Sequence, residues 1–148
     1  MGVESMAARQ KGAGMNVEIE ERVFTERLLR ANPEKIYVFG DNMKRRGKRG
    51  QAMIRAEPNA YGIATKRYPS MDAWAFFSDK PDEFEWVLSD LRGLYKWSKT
   101  HTIVFPVAGI GTGLADMENR SPALWSKMCQ IFKDHFGYVN GAKTQYEP

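Results

Sequence analysis

The strongest indication of the fold is Thr102-Ile-Val-Phe-Pro-Val107, which is followed directly by Ala108-Gly109-Ile110-Gly111-Thr112-Gly113-Leu114. Its first half is a short, continuous run of β-branched and aromatic residues, which is typical of a strand buried on both faces of a parallel sheet. Its second half places three glycines at alternate positions directly after that strand. The spacing is neither that of a dinucleotide-binding fingerprint nor that of a P-loop. We therefore expect either a tight turn or a backbone cradle for an anion at the carboxyl end of a buried strand.

Other apolar runs and segments with helical periodicity complete an α/β pattern. Further strands are predicted at 36–39, 61–64 and 73–77, and helices at 82–98 and 122–135. A short helix containing Phe24, Leu28 and Leu29 is expected to end by Asn32-Pro33. Strands that alternate with helices favour an α/β fold with its ligand site at the carboxyl ends of the strands. The loops after Phe39 and Val107 are therefore where a site is expected.

Length and composition predict one ordered domain. The chain has 148 residues, of which 43% are hydrophobic and 12% aromatic, which excludes a wholly disordered protein. Residues 1–16 are small and polar, so we expect a disordered leader followed by a single domain over 17–148. No apolar run approaches the roughly 20 residues of a membrane span, and the start lacks a secretory signal. The single cysteine, Cys129, and the absence of any metal-ligand spacing fit a reducing, cytoplasmic setting without a metal or cofactor.

The loop after Phe39 is rich in glycine and in positive charge. It contains Gly47 and Gly50, and Ala52 is expected to begin a helix whose free N–H groups would form an anion seat. Asn42 offers both a donor and an acceptor to sugar hydroxyls. The basic run Lys44–Arg55 is either a solvated face or an anion site that also attracts nucleic acid. The loop is thus a second candidate cradle, and an ordinary surface turn is the alternative.

Lys66 lies where the strand predicted at 61–64 runs out. A lysine there is usually a solvated or phosphate-pairing cation. If it is partly desolvated beside another cation such as Arg67, its pKa falls and its amine becomes a nucleophile.

The order of these motifs resembles the macrodomain family, over roughly residues 36–135. The closest similarity is to the branch of DarG-type antitoxins and terminal ADP-ribose glycohydrolases. The motifs that carry it are FGDN (39–42), GKRGQA (47–52), IATK (63–66), IVFPVAGIGTGLA (103–115) and GTGLAD (111–116). The resemblance implies a three-layer α/β/α sandwich with a mixed sheet that holds ADP-ribose.

On this resemblance, each site residue receives a role. Lys66 would attack the anomeric carbon of the distal ribose, and Asp116 would assist as the acid, which makes the chain an ADP-ribosyl glycohydrolase. The ligand-binding residues would be Asn42, Gly47, Gly50, Gln51, Ala52, Gly109, Ile110, Gly111, Thr112, Gly113 and Leu114.

Three functions therefore compete. The first is hydrolysis of ADP-ribosyl links on a protein or nucleic acid. The second is a non-catalytic module that binds or sequesters ADP-ribose or NAD-derived nucleotides. The third is a basic nucleic-acid-binding protein that uses the run Lys44–Arg55 and aromatic residues such as Tyr68 or Trp74.

Overall fold

The computed structural model describes residues 9–12 and 15–141, with side chains from residue 16 onward. It contains the strands β1 (Arg9–Gly12), β2 (Met15–Glu20), β3 (Lys35–Asn42), β4 (Ala60–Lys66) and β5 (Thr102–Pro106). The helices are α1 (Glu26–Ala31), α2 (Pro81–Trp97), α3 (Met117–Arg120) and α4 (Pro122–Phe136). Two 3₁₀ turns span Gly50–Ile54 and Ala73–Ala75. The expected mixed α/β fold is confirmed.

The strands form one sheet in the order β1-β2-β5-β3-β4. β1 is antiparallel to β2, and the contacts β2–β5, β5–β3 and β3–β4 are parallel. β3 pairs with β5 only from Lys35 to Tyr37, whereas its pairing with β4 continues to Asn42. The carboxyl ends of β3 and β5 are therefore no longer hydrogen-bonded to each other, which is where ligands bind in open α/β sheets.

Alternate side chains of β3 enter two separate buried clusters. Ile36 and Val38 pack in the larger cluster, together with apolar residues of α2 and α4. Tyr37 and Phe39 pack in the smaller one, together with Leu28 and other residues of α1. Because successive residues of a strand point to opposite faces, the sheet is covered by apolar packing on both sides. This packing fixes the strand ends that carry the loops of interest.

Most of the predicted elements are present, and the differences have local causes. Residues 73–77 do not form the predicted strand: they make a 3₁₀ turn and one isolated bridge, between Lys66 and Phe76. Ala52 does not begin an α-helix but lies in the five-residue 3₁₀ turn Gly50–Ile54. Pro58 follows closely, and a proline restricts the residue before it to extended conformations.

The domain was expected to begin at residue 17, and the structure describes strands both before and after this position. β1 and the start of β2 lie within the segment assigned to the leader. Residues 1–8, 13–14 and 142–148 lie outside the described part of the chain, so the disorder expected for the leader stays a prediction. Within the described part of the chain, no helix is long and apolar enough to cross a membrane.

Candidate functional site

A cavity of about 740 Å³ opens at the carboxyl ends of β3, β4 and β5. Its lining consists of residues 40–42, 46–52, 65–66, 69–71, 109 and 111–115. The structure therefore brings the two glycine-rich loops and Lys66 to one cavity. Of the residues expected to bind a ligand, Ile110 alone is absent from the lining, and its side chain is fully buried.

The loop after β5 presents unused backbone donors. Within the described residues, the N–H groups of residues 111–115 have no hydrogen-bond acceptor. Gly111 has a φ of +79°, and a Cβ there would overlap the Met117 side chain, so the position requires glycine. Successive free backbone N–H groups in a glycine-containing loop are a common binding site for phosphate groups.

Asn140 holds this loop in place, a role that the sequence analysis did not predict. The Asn140 side chain, 6% exposed, accepts a hydrogen bond from the Ile110 N–H at 2.8 Å and donates to the Ile110 carbonyl at 3.0 Å. The two bonds fix both backbone groups of Ile110. The residue lies in a turn-rich tail without helical period, so no local pattern distinguishes it from a surface asparagine.

Asn42, at the end of β3, carries an unpartnered buried acceptor. Its side chain donates from Nδ2 to the Arg46 carbonyl at 2.9 Å, and the residue is 8% exposed. Its Oδ1 atom has no hydrogen-bond partner among the described residues. A buried acceptor left unpaired costs about 1–3 kcal/mol. Asn42 also lines the cavity, so a bound group that donated to Oδ1 would remove this cost.

A buried ion-pair network supports the first loop from below. The Asp41 carboxylate, 6% exposed, accepts from Arg55 at 2.6 and 3.0 Å, and Arg55 also donates to the Gly47 carbonyl at 2.8 Å. Arg45 contacts Asp41 at 3.4 Å and reaches Asp90 on α2 at 2.9 Å. Two cations of the basic run therefore belong to the scaffold.

The Asp41 side chain also occupies the space beside β4. A Cβ added to Gly62 would overlap the Asp41 carboxylate and lie 2.9 Å from its Cβ. The absence of a side chain at Gly62 is what lets the carboxylate reach Arg55.

The cations that remain at the cavity belong to the same run. Arg46, Lys48 and Arg49 are exposed and line the cavity, and no ion pair ties them to an acid within residues 9–12 and 15–141. They give the mouth of the cavity a positive charge that favours an anionic ligand.

Lys66 lies at the end of β4 with its amine partly enclosed. The amine donates to the Ser70 carbonyl, lies 3.7 Å from the Met71 sulfur and lies 4.5 Å from the centre of the Phe76 ring. Burial lowers the pKa of the Lys66 amine from 10.5, and the nearby positive charge of Arg120 lowers it further. A larger fraction of the amine is therefore neutral, the form in which it is a nucleophile.

The second cation differs from the one expected. The Arg67 guanidinium is paired with Glu83 at 2.7 Å and with Asp82 at 2.8 Å. Arg120, on α3, instead stacks at 3.7 Å on the Phe76 ring, the same ring that Lys66 approaches. The expectation that Arg67 perturbs Lys66 was therefore wrong.

Asp116 lies in a different cavity from Lys66. It precedes α3 with a φ of +49°, accepts from Asn119 at 2.8 Å and contacts Arg120 at 3.5 Å. It lines a second cavity, of about 810 Å³, which it shares with residues of α4 such as Trp125 and Cys129. The two expected catalytic residues thus line different cavities, and Arg120 lies between their surroundings, since it contacts Asp116 and stacks on the Phe76 ring that Lys66 approaches.

Comparison with known proteins gives a family and no further relative. A family model described as a family of unknown function, DUF7831, matches residues 19–131. Neither the curated proteins nor the solved structures contain a significant match. Because the matched segment includes β3, β4, β5 and both loops of the cavity and covers more than half of the chain, the protein belongs to the DUF7831 family.

Proposed function

We propose that this protein binds ADP-ribose in the cavity between the two glycine-rich loops. The observation that carries the proposal is that one cavity is lined by both loops, by Lys66 and by Asn42, whose buried Oδ1 has no hydrogen-bond partner among the described residues. The motif order that resembles the macrodomain family supports the same ligand. The three-layer α/β/α arrangement of that family is part of the proposal, and the apolar clusters on both faces of the sheet support it.

The cavity offers a distinct partner for each part of ADP-ribose. Its volume of about 740 Å³ is in the usual range for small-molecule sites, roughly 300–1,000 Å³. The diphosphate would accept from the N–H groups of residues 111–115 and face Arg46, Lys48 and Arg49. The distal ribose would donate a hydroxyl hydrogen to Asn42 Oδ1. A charged diphosphate and a sugar diol thus satisfy the donors and the acceptor that the described residues leave without partners.

Calorimetric titration with ADP-ribose tests the proposal. We expect wild-type protein to bind and Asn42→Ala to bind about tenfold more weakly, since a hydrogen bond in a buried site contributes about 1 kcal/mol or more. Asn119→Ala is the matched control, because Asn119 is an asparagine of the second cavity. Wild-type protein that does not bind ADP-ribose, or an equal loss in both variants, would contradict the proposal.

The position of Lys66 favours a second candidate, hydrolysis of an ADP-ribosyl link. In this reaction the neutral amine forms a bond to the anomeric carbon of the distal ribose while the bond to the modified group breaks. The released group takes up a proton, and water then cleaves the sugar–lysine bond and restores the amine. The lowered pKa of Lys66 and its place in the cavity wall support the first step.

Assays of ADP-ribose release distinguish a hydrolase from a non-catalytic binding module. Because Asp116 lines the other cavity, we expect Asp116→Asn to retain the rate of ADP-ribose release, and Lys66→Ala to abolish it. The substrates to assay are ADP-ribosylated protein and ADP-ribosylated DNA, the latter because the exposed cations of the mouth favour an anionic carrier. Binding of ADP-ribose without release from either substrate would establish the non-catalytic module instead.

A further inference from the structure

The side chain of Gln51 fills the gap that opens between β3 and the loop after β5. Pairing between these neighbouring strands stops at Tyr37 and Val104. Beyond that point the Gly40 N–H donates to Gln51 Oε1 at 2.9 Å, and Gln51 Nε2 donates to the Gly109 carbonyl at 2.9 Å. One planar amide thus replaces the missing ladder bonds between the end of β3 and the loop after β5, and Gln51 and Gly109 are 58 residues apart in the chain.

Gln51 is the connection between the two loops. Within the described residues, no other hydrogen bond or ion pair joins residues 40–52 to residues 107–116. Both polar atoms of the Gln51 side chain are engaged, so the amide is committed to the protein rather than to a ligand. Each loop also has its own support: Arg55 holds the first through the Gly47 carbonyl, and Asn140 holds the second through Ile110.

We propose that Gln51 is a positioning residue that sets the distance between the two loops and so selects ligands that span both of them. The inference rests on the proposed function, in which the diphosphate binds the second loop and the distal ribose binds Asn42 of the first. A ligand that contacts both loops depends on their spacing, because the amide fixes the two binding surfaces before the ligand arrives. A ligand that contacts the second loop alone does not, since Asn140 holds that loop independently of Gln51.

A comparison of ADP-ribose with ADP exposes this role, because ADP lacks the distal ribose. We expect wild-type protein to bind ADP-ribose more tightly than ADP. Gln51→Met keeps the length of the side chain but removes both hydrogen bonds, and should weaken ADP-ribose by about tenfold. ADP should be weakened clearly less, because it meets the first loop only through the exposed side chains of Arg46, Lys48 and Arg49. Gln51→Glu keeps the acceptor for Gly40 but places a carboxylate oxygen against the Gly109 carbonyl, and should behave in the same way. Gln130→Met is the matched control, because the Gln130 side chain bonds only to Asp134 on the surface of α4.

Amide hydrogen exchange measured by NMR tests, without any ligand, whether Gln51 connects the two loops. Gly40 loses its acceptor in Gln51→Met, so its amide should exchange faster, and the resonances of residues 109–113 should shift. The Ala123 and Leu124 amides, which donate to Asp79 in another part of the fold, should not change. Gln51→Glu should leave the Gly40 amide protected and shift only the second loop, which separates the two ends of the side chain.

The outcomes separate the inference from the proposed function. Unchanged Gly40 exchange in Gln51→Met overturns the inference, whatever the protein binds. An equal loss of affinity for ADP and ADP-ribose also overturns it, because a merely structural defect would weaken both. Wild-type protein that binds neither nucleotide overturns the proposed function and the selection of ligands with it, while the exchange data still decide whether Gln51 joins the loops.

Discussion

Replacing Asp41 with asparagine should test whether the buried ion-pair network supports the first loop. In wild-type protein, Oδ1 accepts from Arg55 at 2.6 Å and from the Asn42 N–H at 2.7 Å, and Oδ2 accepts from Arg55 at 3.0 Å. An asparagine keeps one acceptor and turns an NH₂ group toward the guanidinium. Breaking a buried pair by changing one partner costs about 3–5 kcal/mol, and hydrogen bonds to charged groups contribute about 1.5–3 kcal/mol each.

The expected destabilisation is about 3 kcal/mol, at the lower end because the Arg55 side chain is 17% exposed and Arg45 is 38% exposed. For a chain of this length, that lowers the melting temperature by about 9 °C. Calorimetric melting measures the shift directly, and Asp134→Asn is the control because Asp134 is an exposed carboxylate that accepts only from Gln130. A melting temperature for Asp41→Asn that matches the control would refute the reasoning.

Four further predictions concern single residues. Gly111→Ala should destabilise the protein by about 1–2 kcal/mol and weaken the binding of ADP-ribose, because Gly111 has a positive φ and an added Cβ would overlap the Met117 side chain. The control is Gly113→Ala, which should melt like wild type because Gly113 has open space around it and no positive φ. Asp79→Ala should lower the free energy of unfolding by about 1–2 kcal/mol, as measured by urea titration. The Asp79 carboxylate accepts from the Ala123 and Leu124 N–H groups in the first turn of α4, at 3.1 and 2.8 Å. Arg120→Gln should raise the pKa of the Lys66 amine only part of the way to 10.5, as read by NMR, because burial is the larger cause of its depression. Since the folded pKa is below the unfolded value, the unfolding free energy of wild type relative to Lys66→Met should rise with pH in the window below 10.5; a flat difference would contradict this.

The central strands could be predicted because strands buried on both faces have continuous apolar runs. β3 and β5 lie between other strands and are covered on both faces, so their apolar runs are continuous. Val17 and Ile19 alternate with Glu18 and Glu20, which is typical of a half-buried strand. β2 was missed because this run is short and its parallel partner β5 is more than 80 residues away. The apolar residues at 75–77 are buried but make one bridge, so burial there does not mean a strand.

The position of the cavity could be predicted from the sequence, whereas the partners of its charged side chains could not. The rule that ligands bind at the carboxyl ends of strands directs attention to the loops after β3 and β5, and both line the cavity. Nothing local shows that Arg55 of the basic run is committed to Asp41, or that Arg120 rather than Arg67 approaches Lys66. Asp116 was selected because it follows the Gly111–Leu114 motif, and in the structure it lines the other cavity. These contacts depend on tertiary packing.

The overlap between the Asp41 carboxylate and the space beside Gly62 ties two positions of neighbouring strands to one another. A Cβ at 62 would also lie 2.9 Å from the Asp41 Cβ, so a methyl group there requires either that residue 41 loses its side chain or that the two strands shift. Loss of the Asp41 side chain leaves Arg55 without its carboxylate. Across DUF7831 chains, substitutions at these three positions should therefore arise as a set, and a chain that carries alanine at 62 together with aspartate at 41 should have shifted one strand relative to the other.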